Sequence, residues 1–67
     1  INMKKYHKLL HFLSDGTEWS RTNLKRRVDE ILIDEALQLE YIRISRINDI
    51  EEPIYIITKL GKEIYNT

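Results

Sequence analysis

The 67-residue chain has no cysteine, one proline and two glycines. Without thiols it forms neither a disulfide framework nor a thiolate metal site, a composition that suits an intracellular protein. Two glycines are too few for a phosphate-cradling glycine loop. No apolar run approaches the roughly 20 residues of a bilayer-spanning helix. No secretory leader pattern is visible in these residues either, so the expectation is a cytoplasmic protein without membrane attachment. Met3, in the opening Ile1-Asn2-Met3, reads equally as a natural start behind a vector remnant or as part of a trimmed, longer protein. What is present is 42% apolar residues mixed with 33% charged ones, enough for one small core and one domain over residues 1–67.

The formal net charge is zero, but its distribution is uneven. Residues 1–28 hold seven Lys/Arg against Asp15 and Glu18, a balance of +5, and residues 29–67 hold four against nine acids, a balance of −5. Such asymmetry between halves points to a polar partner.

Met3, Tyr6, Leu9/Leu10 and Leu13 recur at helical spacing and predict a first helix, with Lys4, Lys5 and Lys8 outside the apolar stripe. Ser14-Asp15-Gly16 ends it, glycine supplying the left-handed turn. Thr17-Glu18-Trp19 reads as a brief strand or an extended link, with Trp19 anchored in the core. Ser20 is a good N-cap for a second helix burying Leu24 and Val28. Residues 29–40 read as a third helix with Ile31, Leu32, Ala36, Leu37 and Leu39 inward. No glycine or proline separates the two, and a single uninterrupted helix fits the same spacing.

Alternation in residues 41–47 and 54–58, around the polar loop Asn48 to Pro53, predicts a β-hairpin in which Ile42 and Ile44 share a face, as do Ile54 and Ile56. Thr58 caps a closing helix with Leu60 and Ile64 inward. Gly61 in its first turn costs about 1 kcal/mol relative to alanine, which implies close packing at that point. The fold class is α+β: three helices, a β-hairpin and a short C-terminal helix.

Leu10-His-Phe-Leu-Ser-Asp-Gly, Glu35-Ala-Leu-Gln-Leu-Glu-Tyr-Ile and Tyr55-Ile-Ile-Thr-Lys-Leu-Gly, in this order of elements, carry a resemblance. Over nearly its whole length the chain resembles the winged helix-turn-helix family, both the small regulators of the MarR and PadR kind and the compact winged helices of phages and mobile elements. Tyr55-Ile-Ile-Thr-Lys-Leu-Gly is similar to the family's aromatic-x-Leu-Thr-x-x-Gly ending. Glu40-Tyr41 stand where the family usually has glycine.

The resemblance implies a DNA-binding protein, a small transcriptional regulator, whose third helix enters the major groove while the hairpin touches phosphate or minor groove. Here that helix would present Asp29, Glu30, Asp34 and Glu35, and the hairpin Asp49, Glu51 and Glu52, against one phosphate charge per roughly 1.7 Å of duplex. Positive charge lies instead on Arg21, Lys25, Arg26 and Arg27 and on Lys4, Lys5 and Lys8, with Arg43 and Arg46 extending it along the hairpin's outer side. These nine are the candidate nucleic-acid contacts.

Tyr6, Trp19, Tyr41 and Tyr55 either interleave with them as a stacking platform for single-stranded DNA or belong to the core. The alternatives are accordingly a single-stranded DNA-binding accessory protein of a mobile element or a protein-interaction module. For the latter, Ile33, Ile50, Phe12 and Tyr65 are the candidate contact patch, and a homodimer would pair through the first helix, the last helix or the hairpin. His7 and His11, one turn apart, lack a third ligand and read as surface imidazoles that add positive charge below about pH 6.5. No nucleophile–base grouping is supported, so neither enzymatic activity, cofactor nor metal is expected.

Overall fold

The computed structural model describes residues 4–67 and contains α1 (His7–Leu13), β1 (Trp19–Ser20), α2 (Arg21–Lys25), α3 (Glu30–Gln38), β2 (Ile42–Ile47), β3 (Pro53–Ile57) and α4 (Lys59–Tyr65). The fold is α+β, four helices and a three-stranded antiparallel sheet of order β1-β3-β2, an arrangement compatible with a winged helix. Among the described residues no helix is long and apolar enough to cross a membrane.

α1 begins at His7, later than expected. Tyr6 is its N-cap without a side-chain capping bond, and Lys4 and Lys5 lie in the turn before it. Met3 lies outside the described residues. Leu9, Leu10 and Leu13 are buried as the spacing requires. Gly16 closes the turn at φ +85°. Trp19 is half-buried: its ring tilts onto Phe12 at 5.3 Å and its Nε1–H donates to the Thr17 hydroxyl.

Two side-chain caps decide the helical layout. The Ser20 hydroxyl accepts from the Asn23 amide and starts α2. Asp29, in extended conformation, accepts from the Ile31 amide and starts α3. The single-helix alternative therefore fails, because the chain leaves helical geometry at Asp29 and the apolar phase resets. Ile33 and Ala36 become the buried pair of α3, not the expected set of five. Leu32 and Leu37 are half-buried, while Ile31 and Leu39 face solvent.

α3 ends in a Schellman motif: Tyr41 N–H donates to the Ala36 carbonyl and Glu40 N–H to the Leu37 carbonyl. Glu40 sits at φ 64°, the left-handed position that glycine normally fills. The substitution of Glu40-Tyr41 for the expected glycine thus keeps the turn but retains a Cβ where it is unfavourable.

In the hairpin, Ile42 lies opposite Ile57 and Ile44 opposite Tyr55. Directly paired residues share a face, so Tyr55 and Ile57 lie on the face of Ile42, and all three belong to the core cluster. Ile54 and Ile56 share the opposite face, as expected, with Ile54 buried and Ile56 half-buried. A bulge between Ile44 and Arg46 puts Arg43 and Arg46, opposite Ile56 and Ile54, on the same face despite their odd spacing.

Thr58 caps α4 through the Gly61 amide. A Cβ at Gly61 would overlap the Tyr41 carbonyl oxygen and come within 2.8 Å of Ile57 Cγ1, which is the close packing the sequence implied. Ile64 is half-buried and Leu60 exposed, so only one of the two expected inward residues of α4 turns in.

Two stability changes follow. Gly61→Ala is expected to destabilise the fold by about 1–3 kcal/mol, the cost of overpacking. Glu40→Gly is expected to stabilise it by up to about 1 kcal/mol by relieving the left-handed backbone, net of the greater freedom of glycine in the unfolded chain. Urea unfolding of the two variants beside the parent checks both signs.

Candidate nucleic-acid interface

Arg21 opens α2 with its side chain directed into the angle between α3 and β3. Its NH1 donates to the Tyr55 hydroxyl at 2.9 Å, its Nε to Glu30 at 2.8 Å, and its NH2 pairs with Asp34 at 2.9 Å. The Tyr55 hydroxyl first, and then the two carboxylates, raise the guanidinium's pKa further above its ordinary value. Arg21 is thus engaged by three partners within the fold.

Two further candidates are engaged in the same way. Lys5 pairs with Glu35 at 3.1 Å, and Glu35, which also accepts from the Tyr6 hydroxyl, is held below the usual glutamate range by these two groups. Arg46 pairs with Glu18 at 3.2 Å; Glu18 is lowered first by the Ser45 hydroxyl and then by Arg46. Glu30, Asp34 and Glu35, three of the four acids expected to repel DNA along α3, are therefore charge-paired, and Asp29 is a cap.

Glu52 is likewise no displayed hairpin charge. Its carboxylate accepts from the Thr22 amide at 2.6 Å, in the first turn of α2, and from Asn48 Nδ2 at 3.0 Å. The Thr22 bond is the first cause of its lowered pKa, and the positive end of a helix favours a carboxylate there. Asn48 Oδ1 in turn accepts from the amides of Ile50 and Glu52, which shapes the loop. Nothing in the sequence signalled the role of Glu52, since Thr22 lies thirty positions away, whereas the Asn48 turn is local and of a kind asparagine favours. Asp49 and Glu51 remain exposed at the tip.

The other six candidates, Lys25, Arg26 and Arg27 at the end of α2 and in the turn to α3, Lys4 and Lys8 around the start of α1, and Arg43 on β2, are exposed. Among the described residues, Arg26, Arg27 and Arg43 make no ion pair within 4.0 Å. Lys25, Arg26 and Arg27 are consecutive and all exposed, a run of positive charge at the α2–α3 turn.

Of the four aromatic residues, Tyr55 belongs to the core, and Tyr6, Trp19 and Tyr41 are half-buried and packed against it. Tyr55 is 1% exposed and held by Arg21. Tyr6 meets Tyr41 edge-on at 5.6 Å and donates to Glu35, and Trp19 packs on Phe12. A stacking platform is not assembled from them. Of the expected apolar docking patch, Ile33 is buried and Phe12 and Tyr65 are occupied by ring contacts, while Ile50 is 74% exposed in the hairpin loop. His7 stacks on Tyr65 at 4.7 Å, and His11 Nδ1 lies 2.7 Å from the Tyr65 hydroxyl. Among the described residues, no group of three or more His, Cys, Asp or Glu is placed to hold a metal ion.

No protein-family model, curated protein or solved structure matches the chain.

Arg21→Ala is expected to cost about 1–3 kcal/mol, because it leaves the buried Tyr55 hydroxyl without its partner, whereas Arg26→Ala with Arg27→Ala is expected to stay within about 0.5 kcal/mol. Denaturant titration separates the two. Acid sensitivity has a defined sign: the lowered carboxyls of Glu52, Glu35 and Glu18 contribute stability that is present above their ordinary value of 4.5 and lost as pH falls through their depressed values. Glu52→Gln, which keeps a carbonyl acceptor for Thr22, should therefore lose stability less steeply than the parent below pH 4.5 when melting is followed by circular dichroism.

Proposed function

We propose that the chain is a winged-helix DNA-binding protein of the small-regulator kind, acting in the cytoplasm, and that it holds duplex phosphates chiefly through Lys25, Arg26 and Arg27. The observation that carries this reading is the run of three consecutive outward cations at the α2–α3 turn, in a chain whose other basic side chains are partly consumed by internal ion pairs. Lys4, Lys8 and Arg43 are secondary contacts. Arg21, Lys5 and Arg46 support the surface by neutralising its acids and do not contact DNA.

Duplex is favoured over single strand because Tyr55 is buried and Tyr6, Trp19 and Tyr41 are engaged in ring contacts or hydrogen bonds with neighbouring side chains. Binding is led by phosphate and not by base edges, since α3 offers few free donors. One observation favours a second reading: Ile31 on α3 is 63% exposed beside Glu30 and Asp34. With both acids already paired to Arg21, an exposed apolar side chain there suits docking to an apolar protein surface, and that reading requires no nucleic-acid affinity.

Anisotropy of labelled duplex and single-stranded oligonucleotides, titrated at several salt concentrations, tests the proposal. Duplex binding is expected to weaken steeply with salt. Replacing Lys25, Arg26 and Arg27 together by alanine should make the slope of log affinity against log salt shallower by roughly 2–3, about 0.9 for each phosphate that is no longer neutralised. Absence of binding to either form at low salt would sink the proposal in favour of protein docking.

A further inference from the structure

Six large aliphatic side chains remain exposed among the described residues, and two of them, Ile44 at 45% and Leu60 at 42%, line one groove. The groove, about 500 Å³, lies between the end of α3, β2 and the start of α4, and Leu37 and Ile42 add to its apolar lining. Ile42, Arg43 and Ile44, three consecutive residues of β2, all line it. Successive side chains of a strand point to opposite faces, so a groove touched by all three follows the edge of the strand. β2 is the outer strand in the order β1-β3-β2. Its open edge therefore presents backbone donors and acceptors with no strand beside them.

Two features specify what fits there. An unpaired edge beside apolar side chains suits an extended segment, whose main chain continues the sheet while alternate side chains enter the groove. The charge of the lining selects the other side chains: Arg43 and Lys59 stand against one carboxylate, Glu40, and Arg43 makes no ion pair within 4.0 Å among the described residues. A second copy of this chain fits poorly. Antiparallel pairing of β2 with itself, in the register that joins all six residues, sets Arg43 against Arg46 twice, and like charges directly opposite are unfavourable.

We infer that the β2 edge binds an extended segment of a partner protein, with apolar residues alternating with acidic ones, as a fourth strand of the sheet. This surface does not rest on the basic α2–α3 turn, so it stands or falls separately from DNA binding.

The test is fluorescence polarisation of the full chain with a short labelled peptide of alternating valine and glutamate. Controls are the same peptide with lysine for glutamate and one with alternate backbone amides methylated. The acidic peptide is expected to bind saturably, with each control at least roughly tenfold weaker, since one reverses the charge and the other removes the main-chain donors. Arg43→Glu and Lys59→Glu, both at exposed positions, should shift preference toward the lysine peptide, and Leu60→Gln should weaken binding of the acidic one. Melting curves verify that each variant is folded. Equal affinity for the acidic and basic peptides, or no binding by either, overturns the inference. Dimerisation of the chain that the acidic peptide competes away would also overturn it, assigning the edge to a second copy.

Discussion

The guanidinium of Arg21 ties together the three elements that the rest of the molecule is arranged around. It reaches from the first residue of α2 to Tyr55 on β3 and to Glu30 and Asp34 on α3. A planar fork with several fixed donors can satisfy a buried hydroxyl and two carboxylates at once, which a lysine ammonium on a flexible stem does far less well. Tyr55 is among the largest fully buried side chains, so its hydroxyl needs a partner inside the fold. The position of α3 against the sheet depends on the same group that satisfies it.

Around that junction, short elements are held by side-chain caps and not by length. α2 has five residues and α3 nine, too short to be stable helices alone. Ser20, Asp29 and Thr58 each accept a backbone amide at a helix start, and Glu52 adds a carboxylate to the first turn of α2 from the far hairpin loop. The hairpin is thereby fastened to α2 at its loop and to α4 through the Tyr41–Gly61 approach. Glu40 shows that the turn after α3 is imposed by this packing, since its own residue type disfavours the conformation it adopts.

The same pairing redistributes charge. A chain with equal numbers of acids and bases uses Arg21, Lys5 and Arg46 to neutralise carboxylates, and leaves a compact positive run at one turn. Exposed ion pairs such as those of Lys5 and Arg46 contribute little stability in general; their effect on the surface potential matters more for the proposed DNA contact. The apolar groove at the β2 edge is a surface separate from the proposed DNA contact.

What the sequence determined by itself were the features that need only near neighbours. The stripe of Leu9, Leu10 and Leu13, the caps at Ser20 and Thr58, the turn at Gly16, the alternation on either side of Asn48–Pro53 and the small side chain at Gly61 are all local, and each was legible. The Asp29 cap that splits α2 from α3 was also local, but its signal was masked by apolar spacing that continues in phase across the break. Tertiary structure alone decided which face of β3 is buried, because register with β2 and a bulge at Ser45 fix it. It alone decided which cations remain outward as well. The partners of Lys5, Arg21 and Arg46 lie from 9 to 30 positions away, and a charge count along a chain carries no information about which opposite charges folding will bring within reach.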